Sequence, residues 1–388
     1  MRKKKVCFYL NVLLVGGIEK VLLELLRNID YNEYEVTLLL AYKLGKIEKL
    51  KEEVPENIKI TYLLEEEILV KGKRKKVIGN LGKIEKVLDE TISFFRKLKI
   101  KKRLFKFIKD KDIIIDFDMT LAPYAKEINN KIITFCHFSP KNYNRGIKRR
   151  QIKHGKRLND YDNVVVISDD MKKEMLEMYP FLGKKVVRIY NSFNIKEIER
   201  KALNIEDKHK ELIDDNSYIL AIGRIEETQK DFTTLIEAYN LIKNDIDEKL
   251  FIIGDGRHKE KLLSLVDVYD LEDRVVFLGF IKNPYPFIKG ASAFVHSSKF
   301  EGLPTVLIEA LILGKAIVAT DCPTGPREIL SNGKNGVLTK LSDEKSLAEG
   351  LKKVLLNKKL KEEFEEKTKE KRKEFDSNFV VKEFEKLL

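Results

Sequence analysis

The segment EGLPTVLIEA at residues 301–310 follows an apolar run at residues 293–297 and indicates the fold class. The apolar run is typical of a buried strand, and the segment after it has the composition of a turn that leads into a helix. Pro304 suits the first turn of that helix, because the proline ring holds φ near the helical value. The free amides of a first turn, together with the helix dipole, form a binding site for an anion. The segment therefore predicts a strand-turn-helix unit with an anion site at the carboxyl end of the strand.

Two carboxylates belong to this segment. Glu301 lies just before the predicted helix, and Glu309 lies about two turns further along it. Two glutamates at this spacing are often no more than solvated side chains on a surface helix. Here, however, Glu309 stands among apolar residues at 306–313, where a carboxylate is costly to bury without a partner. We therefore interpret both glutamates as ligand-binding side chains.

Short β-branched runs alternate with longer amphipathic runs along the chain, as is typical of parallel α/β architecture. The first series of predicted strands comprises residues 5–10, 35–40, 58–63, 112–115, 132–135, 163–167 and 186–189. The second series comprises residues 218–222, 249–253, 274–278, 293–296 and 316–319. Ligands of doubly wound sheets bind beyond the carboxyl ends of the strands, so the residues that follow each strand are the candidates for a site.

The chain of 388 residues, 43% of them hydrophobic, can bury two cores of ordinary size. A polar and charged segment at residues 191–216 separates the two series of strands. We therefore predict a first domain at residues 1–192, a second domain at 193–370, and a closing helix at 371–388 that crosses back to the first domain.

A pair of cations follows the first strand of the second series. Arg224 comes directly after Gly223 at the end of that strand, and Lys230 falls at the start of the next helical run, residues 232–242. Arginine can bind phosphate oxygens in bidentate fashion, whereas lysine acts as a point charge. The two side chains are therefore candidates for a clamp that binds a diphosphate, although a Gly-Arg pair after a strand is a weak signal by itself.

Two adjacent glycines, Gly16 and Gly17, follow the first strand of the chain. Adjacent glycines remove side chains where the backbone must turn sharply or approach a ligand. The sequence here is neither a G-x-G-x-x-G fingerprint nor a Walker loop, so ordinary dinucleotide or P-loop function finds no support.

The motifs of the second half resemble those of glycosyltransferase family 4, in their order and in their spacing. They are Gly223-Arg224 with Lys230, FIIGDG at 251–256, VFLGF at 276–280, EGLPTVLIEA at 301–310, DCPTGPREI at 321–329 and NGKNG at 332–336. The resemblance is continuous from about residue 218 to residue 341. The first half shares only GGIE at 16–19 and fragments such as IYN at 189–191. The chain looks closest to the branch that builds lipopolysaccharide cores, capsules and lipid-linked oligosaccharides.

The resemblance implies the α/β fold called GT-B, in which two Rossmann-like doubly wound domains face each other across a cleft. It also implies a metal-independent transfer that retains the anomeric configuration and needs no cofactor. By position, Arg224 and Lys230 would hold the diphosphate, Glu309 the ribose hydroxyls and Glu301 the donor sugar. The remaining donor-binding residues would be Gly16, Gly17, Phe280, Ile281, Gly302, Leu303, Pro304 and Thr305. One departure from the family pattern is Asp231, which stands where a glycine usually follows the clamp lysine.

Two residues of the first half are candidates for work on the acceptor. His137 follows the predicted strand at 132–135, and family relatives often carry a histidine in this region near the reacting sugar. Asp118 follows another predicted strand end and is a second candidate for acceptor contact. A histidine that is merely satisfied at a strand end remains an alternative for His137. The predicted catalytic residues are His137, Arg224, Lys230 and Glu301, and the alternative for His137 remains open.

The segment IIIDFDMT at residues 113–120 also matches the D-x-D-x-T signature of haloacid-dehalogenase-like phosphatases. In such an enzyme Asp116 would be the nucleophile and Asp118 the acid and base, with Mg²⁺ between them. The signature lies in the middle of a domain, and Lys259 stands where the pattern needs a later carboxylate. The family 4 motifs therefore outweigh the phosphatase hypothesis.

The positive charge of the chain is concentrated in its first half. The formal net charge is +13, of which residues 1–190 carry +16 and the remainder −3. Residues 71–111 alone contain 16 basic and 4 acidic side chains. A stretch of this kind, with an amphipathic run at 94–109, predicts contact with an anionic membrane surface. A domain helix with a solvated basic face is the alternative. Nucleic acid is not predicted, because aromatic platforms and a binding motif are missing.

Cellular location follows from the same features. Three widely spaced cysteines suit a reducing compartment, and neither a signal peptide nor an apolar run of ~20 residues is present. We therefore expect a cytoplasmic protein bound peripherally at the inner face of the plasma membrane.

Together these features predict a retaining hexosyl- or N-acetylhexosaminyltransferase. It would move a sugar from a nucleotide-diphosphate donor, a UDP-sugar, to a hydroxyl of a glycan or lipid-linked glycan in cell-surface polysaccharide synthesis. The alternative of another class is an inactive protein that binds a sugar nucleotide or a lipid.

Overall fold

The structure, a computed structural model, describes residues 2–79, 82–144 and 146–388, except for the side chains of Lys83, Ile84 and Asn142. Asn80 and Leu81, which belong to the predicted basic stretch at 71–111, lie outside the described residues.

Two parallel β-sheets form the framework of the described chain. The strands of the first sheet, β1 to β7, are Lys4–Leu10, Tyr34–Tyr42, Lys59–Leu64, Ile113–Asp116, Lys131–Cys136, Asn163–Val166 and Val186–Arg188. The strands of the second sheet, β8 to β13, are Tyr218–Ile222, Lys249–Ile253, Val275–Gly279, Ala293–His296, Ile317–Thr320 and Val337–Thr339. Strands such as β4 and β12 are buried at every position, as expected where helices cover both faces of a parallel sheet.

Helices connect these strands. The α-helices α1 to α8 are Gly17–Asn28, Glu67–Val77, Lys83–Ile108, Pro140–Asn144, Lys148–Leu158, Asp169–Met178, Ile195–Lys201 and Asp207–Asp214. The α-helices α9 to α16 are Phe232–Ile242, Lys259–Val268, Tyr285–Gly290, Thr305–Ile312, Pro326–Ile329, Glu344–Leu355, Lys358–Lys371 and Ser377–Glu385. Short 3₁₀ helices occupy Gly45–Ile47, Lys49–Glu53, Ala125–Glu127, Pro180–Lys185 and Arg372–Phe375.

Both sheets have the doubly wound strand order. The first runs β3-β2-β1-β4-β5-β6-β7 and the second β10-β9-β8-β11-β12-β13, and every pairing is parallel. The strand order reverses between β1 and β4 in the first sheet and between β8 and β11 in the second. Ligands of such sheets bind beyond the carboxyl ends of the strands at this reversal. The predicted fold class, α/β with two Rossmann-like domains, is confirmed.

The chain divides into two compact units. The first contains Met1–Ile167, Lys172–Ser192 and Val381–Leu388, and the second contains Ser168–Met171 and Phe193–Val380. The closing residues pack into the core of the first unit, where the ring of Phe384 lies 5.9 Å from that of Phe8 and 5.7 Å from that of Phe135. The core of the second unit is an apolar cluster between its sheet and helices such as α9 and α14.

Sequence patterns and structure differ at one strand. Strand β13 is absent from the predicted series, because three residues give too short an apolar run to stand out. The amphipathic run at 94–109 forms the second half of α3. Ile100, Leu104 and Ile108 are buried, whereas Phe94 and Leu98 are more than half exposed.

Candidate functional site

The loops after β8, β9 and β10 are held together at the carboxyl edge of the second sheet. The amide of Gly223 donates to the carbonyl of Ile253 at 3.0 Å, and the amide of Gly254 donates to the carbonyl of Gly279 at 2.8 Å. Gly254 has a φ of +144°, and a Cβ there would lie 1.9 Å from the carbonyl oxygen of Gly223. Glycine is therefore required at 254, because any side chain would force apart two of the loops that carry the predicted site.

A buried ionic cluster lies beside these loops, at the point where the strand order reverses. Lys230 donates a hydrogen bond from Nζ to Oε1 of Glu301 and forms an ion pair with it. The Nε2 atom of His296, the last residue of β11, lies 3.3 Å from the same oxygen. Gln229 donates from Nε2 to the other carboxylate oxygen at 3.3 Å. Two predicted residues, Lys230 and Glu301, are thus brought into direct contact.

The charge of this cluster follows from its surroundings. Burial favours the neutral form of Glu301, but the charge of Lys230 and the contact with His296 outweigh burial and hold the pKa of Glu301 far below its usual range. For His296, burial and the neighbouring Lys230 lower the pKa. The cluster therefore contains an ionised carboxylate, a lysine cation and a neutral imidazole at physiological pH.

The segment that carries Glu301 is fixed by a second loop. The Thr324 hydroxyl donates to the carbonyls of Glu301 at 3.1 Å and Gly302 at 2.8 Å. The amide of Glu301 donates to the carbonyl of Pro323 at 2.7 Å. Gly325, with a φ of +96°, leaves no room for a Cβ, which would lie 2.7 Å from Cδ of Pro304. These contacts explain why the DCPTGP motif accompanies the EGLP motif.

Helix α12 begins directly after this segment. Pro304 occupies its N-cap position, and Thr305 is its first residue. Proline has no N–H group, so Pro304 shapes the turn and cannot itself donate to an anion. Gly302, Leu303 and Pro304 are buried, whereas Thr305 is partly exposed. Of these four residues, all of which were predicted to bind the donor, Thr305 is therefore the one that is partly exposed to solvent.

Glu309 is buried on α12, as the surrounding apolar residues suggest. The Tyr285 hydroxyl, on α11, donates to its Oε1 atom at 3.3 Å. A buried carboxylate that accepts a phenolic hydrogen bond has a constrained orientation.

The other donor-site residues of the second unit are exposed to different degrees. The Arg224 side chain is exposed and forms no ion pair with the described residues. Phe280 is 73% exposed, and its neighbour Ile281 is buried. Gly279, just before them, has a φ of +68°. The structure thus leaves Arg224 and Phe280 exposed at the ends of β8 and β10.

In the first unit, the predicted glycines lie at the start of α1. Gly16 is the N-cap residue, and a Cβ there would lie 2.4 Å from Oε2 of Glu19. At Gly17 a Cβ would meet nothing within 4 Å. Packing therefore does not require glycine at 17, and the space above it is open to a ligand.

Asp116 and Asp118 lie at the end of β4. The Tyr161 hydroxyl donates to Oδ2 of Asp116 at 2.5 Å, while Oδ1 of Asp116 is buried without a partner among the described residues. Asp118 accepts from the amide of Asn11 at 3.0 Å and from the hydroxyl of Thr120 at 2.5 Å. Burial raises the pKa of both carboxyls, and for Asp116 the neighbouring Asp118 raises the pKa further.

This geometry argues against the phosphatase hypothesis. Asp116 is fully buried, and its raised pKa favours the neutral form. A nucleophilic aspartate must be ionised and must reach its substrate. Asp118, by contrast, is partly exposed and could still contact an acceptor.

His137 lies directly after β5 and is buried. Its Nε2 atom is 2.8 Å from the carbonyl of Phe117, so it carries the proton in that hydrogen bond. The ring stacks on Phe135, with 5.9 Å between centroids. Burial lowers the pKa of His137 to about 4. The imidazole is therefore neutral near pH 7, and its Nδ1 atom is the nitrogen left for a further contact.

Sequence reasoning missed several contacts of these sites. His296, Gln229 and Thr324 contact the Glu301 segment, and Tyr285 contacts Glu309. Of these, His296 could have been found, because it ends a predicted strand of the second series. The others come from loops or helices whose positions depend on tertiary packing.

The described residues contain neither a membrane-spanning helix nor a metal-binding cluster. No helix there is long and apolar enough to cross a membrane. No group of three or more His, Cys, Asp or Glu side chains there is placed to hold a metal ion.

Comparison with solved structures defines the class of fold. The crystal structure of Anabaena HepE in complex with UDP and glucose superposes with a TM-score of 0.76 at 15% identity. The superposition covers 99% of this chain and 98% of that one. Together with the two Rossmann-like sheets, this likeness identifies the GT-B fold.

Comparison of sequences gives the family. Residues 15–197 match the model described as Glycosyltransferase Family 4, and residues 204–371 match the model described as Glycosyl transferases group 1. The chain belongs to glycosyltransferase family 4.

Two curated relatives illustrate the range of the similarity. The N-acetylgalactosamine-N,N'-diacetylbacillosaminyl-diphospho-undecaprenol 4-alpha-N-acetylgalactosaminyltransferase of Campylobacter jejuni is 33% identical over 219 residues. That match covers 56% of this chain and 57% of the relative, somewhat more than half its length. The lipopolysaccharide 1,6-galactosyltransferase of Salmonella typhimurium is 26% identical over 260 residues, 64% of this chain and 67% of that protein.

Proposed function

We propose that this glycosyltransferase moves a hexosyl or N-acetylhexosaminyl group from a UDP-sugar to a hydroxyl of a glycan or lipid-linked glycan in cell-surface polysaccharide synthesis. The observation that carries the proposal is the buried Lys230–Glu301 pair at the strand-order reversal of the second sheet. UDP and glucose in the Anabaena structure, and the lipopolysaccharide and diphospho-undecaprenol acceptors in the relatives' names, support the donor and acceptor classes.

The ionic state of the cluster suits an electrostatic role. A lysine ammonium has three N–H donors, and one hydrogen bond to Glu301 leaves two for phosphate oxygens. Arg224, exposed and without an ion pair in the described chain, would supply a bidentate contact to the same diphosphate. Both cations would stabilise the negative charge that develops on the leaving diphosphate.

The two glutamates would have separate tasks on the donor. Glu301 is ionised and fixed by Gln229, Lys230 and Thr324, so its carboxylate can accept from a sugar hydroxyl. Glu309, oriented by Tyr285, would accept from the ribose hydroxyls. Phe280 and Ile281 would contact the base, and open space at Gly17 would admit the phosphates.

We further propose that the transfer retains configuration and needs neither a metal ion nor a cofactor. In such a reaction the acceptor hydroxyl attacks from the side of the leaving group, and a phosphate oxygen accepts its proton. The two cations would then do the work of charge stabilisation. In the first unit, Asp118 would contact the acceptor, and His137 would position it through Nδ1.

The central experiment is a binding and transfer assay of the full chain with a panel of nucleotides and sugar nucleotides. A ligand at 100 times its Kd should stabilise the protein by about 2.7 kcal/mol in thermal unfolding. The anomeric configuration of the product, read by NMR, tests retention, and a parallel reaction with chelator tests metal independence. Donor hydrolysis without acceptor separates an enzyme from an inactive binding protein. If no nucleotide raises the melting temperature, the proposed donor site is wrong.

Membrane contact is proposed for helix α3. Its solvent side carries five apolar side chains that are more than half exposed, namely Val87, Leu88, Phe94, Phe95 and Leu98. At 100° per residue these positions cover about a third of the helix surface, opposite the buried Arg96. Lys97 lies beside this face, and Lys102 continues it about one turn beyond Leu98; both are exposed. An apolar face accompanied by cations fits the surface of an anionic bilayer, as at the inner face of a plasma membrane.

Sedimentation with vesicles tests this contact. Phe94→Ser with Phe95→Ser, and separately Lys97→Gln with Lys102→Gln, should reduce the fraction bound to phosphatidylglycerol vesicles, because each lysine near the surface contributes about 1 kcal/mol. Lys358→Gln with Lys359→Gln on α15 removes the same charge from the second unit and is the matched control. Equal losses in both lysine pairs would show that general charge, and not α3, governs binding.

A further inference from the structure

Helix α5 carries a concentration of cations that neither proposed site uses. Its sequence KRRQIKHGKRL contains six lysines and arginines and no acidic residue. Arg149, Arg150, Lys153 and Lys156 are exposed and form no ion pair with the residues that the structure describes. Without acidic partners, these charges repel one another, which is an unfavourable arrangement unless an anion binds nearby.

A cavity of about 280 Å³ opens beside one face of this helix, within the first unit. Its lining is Met119, Ala122, Tyr143, Asn144, Arg150, Lys153, His154 and Arg157. The four α5 residues in this set follow the spacing i, i+3, i+4, i+7, which places them on one side of the helix. No carboxylate belongs to the lining as the structure describes it, and Asp160 lines the adjoining groove. The volume is at the small end of ligand sites, which measure ~300–1,000 Å³.

His154 lines this cavity and carries a buried polar atom without a partner in the described residues. It is 6% exposed, and its Nε2 atom is buried without a partner in the described part of the chain. Its Nδ1 atom lies 3.0 Å from Nδ2 of Asn144, an amide nitrogen that also donates to the carbonyl of Pro140 at 2.7 Å. An amide nitrogen can only donate, so Nδ1 must accept, and in the neutral ring the proton lies on Nε2.

The surrounding residues fix this orientation. The Tyr179 hydroxyl donates to the carbonyl of Gln151 at 3.0 Å and lies 3.3 Å from Nδ1 of His154. Tyr179 can come so close because residue 155 is glycine, where a Cβ would lie 2.5 Å from the tyrosine ring. Burial lowers the pKa of His154 to about 4, which agrees with a neutral ring. The contacts of Asn144 and Tyr179 with Nδ1 therefore fix the orientation of the ring and of its unpartnered Nε2–H group.

We propose that this cavity binds a phosphate or diphosphate group, with Nε2 of His154 as a neutral donor and Arg150, Lys153 and Arg157 as cationic ligands. Binding of phosphate is independent of the donor site in the second unit. A lipid-linked diphosphate as the source of the group rests on the proposed function, whereas free pyrophosphate in solution does not.

The test is a titration of the full chain, labelled with ¹⁵N in its histidines, with inorganic pyrophosphate. The chain has five histidines, and the spectrum of His154→Gln identifies the signal of His154. The Nε2 signal of His154 should move with a saturable dependence on pyrophosphate. A signal that does not move would overturn the proposal, because the cavity would then hold solvent alone.

Matched charge variants distinguish a specific binding site from non-specific electrostatic attraction of pyrophosphate to the basic helix. Arg150→Gln with Lys153→Gln should weaken binding by roughly tenfold or more, since charge-assisted hydrogen bonds are lost. Arg149→Gln with Lys156→Gln removes the same charge from the other side of α5 and should change the affinity by less than about threefold. Equal weakening in both pairs would also overturn the proposal. These side chains are exposed, so the comparison stands even if His154→Gln does not fold.

Two further measurements identify the source of the phosphate. Phosphatidylcholine vesicles that contain a polyprenyl diphosphate should compete with pyrophosphate for His154, whereas phosphatidylcholine alone should not. Binding of pyrophosphate without this competition would reject the lipid-linked source. A failure of sugar transfer while His154 still responds to pyrophosphate would count against the proposed function and not against this site.

Discussion

Each unit buries a carboxyl group beyond or at the end of a central strand, and the surroundings of the two carboxyl groups differ in charge. In the second unit, Glu301 contacts Lys230, and its pKa is held low despite burial. In the first unit, Asp116 has no cation in contact with it among the described residues, and its pKa is raised. Asp116 accepts hydrogen bonds from the Tyr161 hydroxyl and the Leu121 amide, and a second carboxyl, Asp118, is a neighbouring charge.

The difference shows that residue type and strand position do not set the charge of a buried acid. A cation in contact keeps Glu301 ionised and suited to bind hydroxyl groups. Without one, burial raises the pKa of Asp116 and favours its neutral form, and the side chain acts as an internal hydrogen-bonding group. Three predictions would break or sharpen this comparison.

The largest effect is expected from Lys230→Met, which makes the Glu301 cluster resemble the Asp116 cluster. Removing one partner of a buried ion pair should destabilise the second unit by about 3–5 kcal/mol. Loss of charge stabilisation at the diphosphate should lower the transfer rate by roughly 10²- to 10³-fold. Hydrogen exchange of the strand amides in the second unit measures the stability, and a transfer assay measures the rate.

The control is the double variant Lys230→Met with Glu301→Gln. It removes both charges, so it should regain much of the lost stability while the transfer rate stays low. A double variant less stable than Lys230→Met alone would contradict the account of Glu301 as an uncompensated charge.

A smaller effect is expected when each glutamate is changed to glutamine. Glu309→Gln should weaken the binding of UDP alone by roughly tenfold, because a charge-assisted hydrogen bond to the ribose is replaced by a neutral one. Glu301→Gln should weaken the binding of the intact sugar nucleotide and leave UDP almost unchanged. Calorimetry with both ligands distinguishes the two variants, and the same pattern for both would refute the division of tasks.

The smallest effect is expected from Asp116→Asn, because burial already raises the pKa of Asp116 and favours its neutral form. Near pH 5 we expect a change in the free energy of unfolding of less than about 1 kcal/mol. The pKa of Asp116 in the folded protein is raised above the unfolded value of about 3.9. The contribution of Asp116 to the free energy of unfolding is therefore greatest below that value and is lost as pH rises. The stability of the asparagine variant relative to the native protein should therefore increase between pH 5 and pH 8.

Glu301→Gln should show the opposite slope. The lowered folded pKa of Glu301 gives stability that is present above the unfolded pKa of about 4.3 and is lost as pH falls below it. The deficit of Glu301→Gln relative to the native protein should therefore shrink in acid. Unit-specific hydrogen exchange across pH tests both slopes, and slopes of the same sign would remove the contrast between the clusters.

The fold was largely accessible from the sequence. Most strands of both sheets are short β-branched runs, and their predicted ends lie within two residues of those in the structure. Strand β13 was not predicted, because it is three residues long and lies beyond the glycine-rich NGKNG segment. The side of α3 that packs on its domain, with Ile100, Leu104 and Ile108, depends on neighbouring elements and could not be read from the basic run itself.

The sequence by itself determined the α/β class, because hydrophobic period is a local property, and the doubly wound units were what the resemblance of its motifs implied. It also indicated Glu301, Glu309 and Lys230, since carboxylates in apolar surroundings and cations at strand ends are visible in a linear pattern. Tertiary structure alone decided that Lys230 and His296 meet Glu301, that burial raises the pKa of Asp116, and that His154 lines a cavity and has an unpartnered Nε2 atom in the described residues. Ionisation and hydrogen-bond direction depend on distances and burial between segments far apart in the chain, which no local pattern records.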